Sequence, residues 1–192
     1  MRKAAVALAL LAISIPPPAV LAADPAAPAG ARSDATPPIA EPDTSFLSDA
    51  IRGGLAEVEA GKLGAERGAK PEVKQFAERM VRDHTAVNEK LKAIAAKHKI
   101  EADGTYGTQP MRPEETAAAE MKRMAAMSGA QFDQAFVGHM VKDHEKDVAL
   151  FRAQAKDGKD QELKDLAAAT LPTLEEHLKM AQALAGQVKA SN

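Results

Sequence analysis

The chain has no cysteine and no tryptophan, and only one tyrosine and five phenylalanines in 192 residues. The missing thiols exclude disulfides, thiolate metal sites and a lipidated-cysteine anchor. The aromatic content is too low for a platform on which bases could stack. A net charge of −2 with no basic block leaves no electrostatic footprint for nucleic acid. No apolar run beyond the amino-terminal segment is long enough to span a bilayer, so no stable membrane anchor is expected. Enzyme signatures are missing too. No serine nucleophile stands in a recognisable motif and no glycine loop follows a strand, so the sequence does not establish catalysis.

The amino terminus reads as a secretory signal peptide over residues 1–22. Met1-Arg2-Lys3 is basic, Ala4 to Ile15 is a short apolar run, Pro16 to Pro18 break it, and Val20-Leu21-Ala22 allows cleavage after Ala22 or Ala23. A periplasmic or secreted protein is the expectation. Residues 23–43 are rich in alanine and proline and read as a disordered linker. Residues 44–189 are expected to form one helical domain, because Ala, Leu, Glu, Lys, Gln and Met dominate and β-branched runs are few.

Four long helices follow from the stripes. The first is expected from Ser45 to Arg67, capped by Thr44 or Ser45, with an apolar face of Leu47, Ile51, Leu55 and Val58. Beside it lie Gly54, Gly61, Gly64 and Ala65, a small-residue stripe suited to close helix approach. The second, Pro71 to His98, carries Val73, Ala77, Met80, His84, Val87, Leu91, Ile94 and His98 in alternating steps of four and three. The third, Ala130 to Lys156, places Val137, Met140, His144, Asp147 and Phe151 in its seam. The fourth, Gln161 to Val188, places Leu163, Ala167, Thr170, Leu174, His177, Ala181, Leu184 and Val188, with Pro172 expected to kink or restart it. Between the second and third, a loop over Glu101 to Pro113 and a short helix over Glu114 to Met127 make a connection long enough to cross a bundle. The fold class expected is all-α: a four-helix bundle with a long crossover that contains a short extra helix.

One nine-residue pattern occurs twice. Phe76 to His84 and Phe136 to His144 lie sixty positions apart and match at Phe, Met, Val, a basic residue, Asp and His. Such duplication implies that two elements share one task, here to hold an imidazole on an apolar helix face. His84, His144 and His177 fall near mid-helix, as does Glu57. Mid-helix residues share one level whichever way a helix points, so the four are expected in one layer. Three imidazoles and a carboxylate form a nitrogen-and-oxygen donor set for a divalent Zn, Fe, Cu or Ni ion. Asp147, three residues after His144, is placed to ligate or to orient that ring.

Asp83 and Asp143 are turned about 100° from their histidines and suit the task of holding a neighbouring ring nitrogen. Glu59 faces away from Glu57. His98 and His139 are expected to be solvated, and Met121, Met124 and Met127 to pack. Two other readings stay open. A hydrogen-bonded network needs no metal, and clustered histidines can sense pH.

Leu55-Ala56-Glu57-Val58-Glu59, Phe76 to His84, Ser128 to Asp133, Asp143-His144 and Leu171 to Leu178 together resemble the exported bacterial family known as domain of unknown function 4142. The resemblance spans roughly Ser45 to Leu184 and implies a ferritin-like bundle in proteins associated with the envelope or with stress. By position, Glu57, His84, His144 and His177 are similar to the family's inward polar set. The resemblance implies no activity. The Glu-x-x-His pairs of di-iron ferritins are missing, since Val81, Val141 and Leu174 stand three residues before the histidines. Two roles are expected: metal sequestration or stress protection, or a non-catalytic envelope module with a protein partner or a second copy of itself.

Overall fold

The computed structural model describes residues 39–100 and 114–190. The expected signal peptide, most of the linker and the loop after helix two lie outside the described residues. Five helices and no strand occur among the described residues: α1 Asp43–Arg67, α2 Pro71–Lys97, α3 Glu114–Ala125, α4 Gly129–Asp157 and α5 Gln161–Ala190. α1 pairs with α2 and α4 with α5 as antiparallel hairpins. α1 also faces α4, α2 faces α5, and α3 lies against α4 and α1. This is the ferritin-like bundle, with α2 and α4 on a diagonal.

Two reciprocal caps fix how the hairpins dock. Asp133, buried at the start of α4, accepts the amides of Ala69 and Lys70 at 2.8 and 2.9 Å. Asp43, buried at the start of α1, accepts the amides of Lys159 and Asp160 and the side-chain amide of Gln154. Each carboxylate thus satisfies turn amides of the other hairpin, including donors that a helix start leaves orphaned. Asp43 and Asp133 are ninety positions apart, as are Gly68 and Gly158 in the two turns, and Phe46 and Phe136 in the core. The structural repeat is therefore hairpin on hairpin at an offset of ninety. The sixty-residue repeat read from sequence relates α2 to its diagonal opposite α4; it marks a shared task and not a duplicated unit.

The helices are those expected, with small corrections. α1 begins two residues early and has no side-chain cap at Thr44 or Ser45. Ser48 Oγ donates to the Thr44 carbonyl, and Ser45 bonds Glu41. Leu55 is 36% exposed, because Gly54 rather than Leu55 takes the inward place between Ile51 and Val58. α5 runs unbroken through Pro172, which lies on the exposed side. In the seams, Val87, His98 and Asp147 are half-buried, whereas all eight expected positions of α5 are buried.

The glycine stripe does bring helices together. A Cβ at Gly64 would stand 2.6 Å from Phe136 Cζ and 2.8 Å from Ala77 Cβ, and one at Gly61 3.0 Å from the Ala77 carbonyl oxygen. Met124 is fully buried, with Met121 and Met127 packed alongside, as expected of a packing trio.

The apolar core is divided. One cluster gathers Ala60, Phe76, Met80, Phe132, Phe136, Met140 and Leu184 among others. The other gathers Phe46, Leu47, Ile51, Leu91, Phe151, Leu163 and Leu174. On every long helix the change from one cluster to the other brackets a polar residue: Glu57, His84, His144 or His177.

Candidate metal centre

α1 supplies Glu57, α2 His84, α4 His144 and α5 His177, each with no more than 4% of its surface exposed. Their seams force them inward, and mid-helix placement levels them. The three imidazoles form a triangle with ring centroids 5.3 to 5.4 Å apart. One ligand atom from each lies within 4.8 Å of the others.

The nitrogens are not equivalent. His144 Nδ1 lies 2.9 Å from the Met140 carbonyl. A carbonyl only accepts, so Nδ1 carries the proton and Nε2 keeps its lone pair. His177 Nε2 lies 2.8 Å from Asp83 Oδ2, which leaves Nδ1 as its lone-pair nitrogen. That Nδ1 is buried without a hydrogen-bond partner. His84 Nε2 and His144 Nε2 stand 3.3 Å apart. Ligands at about 2.0–2.1 Å in a tetrahedron are about 3.3–3.4 Å apart, so this edge already has coordination spacing. Without a metal, His84 donates through Nε2 to His144; with a metal, that proton must leave or move to Nδ1.

Glu57 sits under the triangle. Its oxygens are 2.9 Å from His84 Nδ1 and 3.3 Å from His144 Nδ1, yet neither receives an aligned ring N–H. The carboxyl of Asp147 is within hydrogen-bonding reach of Glu57, and burial raises both groups, Glu57 to about 8 and Asp147 to about 9. The pair therefore retains proton at neutral pH. Burial acts oppositely on the rings. It lowers His84, and with repulsion from the other rings it takes His144 to about 3, while His177 falls to about 4 despite its bond to Asp83. Neutral imidazoles are the ligand form.

Asp83 holds His177 and is itself held by Arg79, whose Nε is 3.2 Å away and whose guanidinium also pairs with Glu176 at 2.7 Å. Burial opposes ionisation of Asp83, but hydrogen bonds from His177 and Arg79 keep it below the usual carboxylate range. Asp83 thus grips a ring on a neighbouring helix, the kind of task expected of it. Asp143 instead meets His139 on its own helix at 3.1 Å. His139 is not solvated as expected: only 10% of its side chain is exposed, between Asp143 and Glu120 of α3. Glu59 faces outward to Lys62.

One residue at the layer, Asn88, has no place in the sequence reading, and Gly54 figures there only in the small-residue stripe. Asn88 is buried one turn after His84, with both side-chain polar atoms unpartnered. A four-residue step along the α2 seam from His84 reaches it, where the step of three reaches Val87. Gly54 makes its room, since a Cβ there would overlap the Asn88 amide.

The family described as a domain of unknown function, DUF4142, matches residues 28–184. The chain belongs to that family. Among curated proteins, none matches this DUF4142 chain. Solved structures do share its fold. A DUF305 fragment from Deinococcus radiodurans superposes with a TM-score of 0.69 at 15% identity, covering 79% of this chain and 99% of that one. A DUF305 protein from Streptomyces coelicolor gives 0.64 at 16%, covering 77% and 93%. A protein named CopM, solved in its Cu(II)-bound form, gives 0.64 at 16%, covering 76% and 96%. At such identities the likeness is one of fold.

The buried residues fit a metal. His177 Nδ1 is orphaned and no ring N–H is aligned on Glu57, in a layer walled by apolar clusters. A dry polar layer of this kind is costly unless something joins its members.

Proposed function

We propose that this DUF4142 protein is an exported, periplasmic or secreted metal-binding bundle that takes up one first-row divalent ion through His84, His144 and His177. Sequestration in the cell envelope, with protection against metal stress, is the role that such a site serves best. The observation that carries the reading is the set of three neutral imidazoles from three helices, each with its other nitrogen near an oxygen. His177 is gripped by Asp83, His144 by the Met140 carbonyl, and His84 stands beside Glu57. Ligating histidines tied from behind by carboxylates or carbonyls are the usual means of fixing tautomer and ring orientation. Imidazole donors suit Cu, Zn, Ni or Fe. The bound copper of the fold neighbour CopM makes copper the first ion to try.

Bound there, the ion would be held by three ring nitrogens with a coordination position left open. Among the described residues none near the site marks a substrate, and the reading is one of binding. A network without metal predicts that His177→Leu leaves the fold intact or steadies it, with no change in metal content.

The test is stoichiometry. Mature protein is stripped with chelator, dialysed against Cu(II) or Zn(II), and measured by elemental analysis and thermal melting. The expected result is at least one equivalent bound, a rise in melting temperature, and loss of both in His177→Leu. No bound metal in the wild type, with melting unchanged by chelator, overturns the proposal.

A further inference from the structure

Beside His84, at its Nδ1, the layer contains a second set of donors. His84 Nδ1 lies 2.9 Å from Glu57 Oε2, and ligand atoms of Glu57, His84 and Asp147 lie within 4.8 Å of one another. This group differs from the three imidazoles in kind: two carboxyls and one nitrogen against three nitrogens. A cavity of about 10 Å³ opens between them, lined by Gly54, Glu57, His84, Asn88 and Asp147 with apolar neighbours. That is the room of about one water-sized sphere.

Asn88 is independent of the acidic pair and points to the same spot. It is 4% exposed, lines the cavity, and has no partner for either its carbonyl oxygen or its amide nitrogen. Burying an amide unpaired is costly, and Gly54 gives up a side chain to admit it. A packing role would be served better by leucine. The internal two-fold explains the carboxyls. Glu57 and Asp147 are ninety positions apart, like the reciprocal caps, so each hairpin sends one acid toward the other. The symmetry does not extend to Asn88, whose counterpart is Leu178.

We infer that the layer has a second cation position, formed by Glu57, Asp147 and Asn88 with Nδ1 of His84, suited to a small divalent ion that prefers oxygen donors. The inference rests on the three-imidazole site proposed above, because His84 is shared. Carboxylate and amide oxygens suit hard ions such as Mn2+. The separation of 2.9 Å between Glu57 and His84 matches the edge of about 3 Å of a six-coordinate site with ligands at about 2.1 Å. Bidentate carboxylates would complete the shell, since the cavity has room for the ion and not for added waters. With both positions filled, His84 would serve them through its two ring nitrogens, and its ring proton and the protons of Glu57 and Asp147 would pass to solvent. Three negative ligands then face two doubly charged ions. The shared ring links the two sites, so occupancy of one changes affinity at the other.

The experiment loads stripped mature protein with one equivalent of Zn2+, then titrates Mn2+ and reads the free ion by electron paramagnetic resonance. Wild type is expected to take up one equivalent of Mn2+. Asp147→Asn and Asn88→Leu are expected to weaken Mn2+ uptake at least tenfold while keeping the Zn2+ equivalent and the helical signal. Zn2+ bound with no Mn2+ uptake, or Mn2+ bound equally by wild type and both variants, overturns the second position and leaves the first standing. Failure to bind Zn2+ or Cu2+ at all overturns the first reading, and the second with it.

Discussion

A single aspartate decides which face of one imidazole is available. Asp83 accepts from His177 Nε2, so Nδ1 turns inward as the lone pair, and Arg79 with Glu176 keeps Asp83 ionised and in place. Asp83 is a positioning residue, since it touches the ring and not the proposed ion. Asp83→Asn keeps the shape but lets the amide turn and donate to Nε2, which would put the proton on the wrong nitrogen. The expected outcome is metal affinity lowered about 10- to 100-fold, with the melting of the metal-free protein little changed. Isothermal titration beside a thermal melt checks it, and equal affinities would show that Asp83 only braces the surface. The sequence places Asp83 beside His84 and leaves its actual client unnamed, because that histidine is on another helix.

At the scale of elements, glycine sets how closely α1 can lie. Gly64 faces Phe136 and Ala77 at distances that a methyl group cannot share. Neither neighbour yields easily, one being an aromatic ring packed in the core and the other a Cβ fixed to its backbone. Gly64→Ala gains helix propensity of about 1 kcal/mol, yet overpacking costs about 1–3 kcal/mol. A net loss in chemical denaturation is expected, and a gain would mean that α1 is free to shift. The stripe itself was legible from spacing alone. Which partner each glycine meets was not, nor was the exposure of Leu55, because rotation of a helix by a fraction of a turn exchanges adjacent flank positions. The caps were misplaced for a related reason: Asp43 and Asp133 act across hairpins, while cap signals in sequence are local.

For the whole molecule, two apolar clusters enclose a polar layer, and protonation of that layer links folding to pH. Glu57 and Asp147 hold protons more tightly folded than unfolded. Their contribution is complete below the ordinary carboxylate range and is lost as pH rises through about 8 and 9. His144 and His177 hold protons less tightly when folded. Their contribution is complete above about 6.5 and is lost as pH falls toward about 4 and 3. Above pH 6.5 only the carboxyls change, so the metal-free protein should melt lower at pH 9 than at pH 7. An ion at the position of Glu57, Asp147 and Asn88 should reduce that fall, since it replaces the same protons. Melting curves in chelator and in metal check both. A flat metal-free profile would place the carboxyls in contact with water. These directions argue against a sensor of mild acidity, because neutral rings with such low pKa values stay neutral there.

The sequence by itself determined the helices, their inward stripes and the level of the four polar residues, because each follows from local spacing and from the apolar character of neighbouring turns. Only the tertiary structure decided which helices are neighbours, which ring nitrogen meets an oxygen, and that Asn88 and Gly54 belong to the layer. Those choices depend on helix rotation and on side-chain rotamers, which packing between distant segments sets. No pattern along one helix contains them.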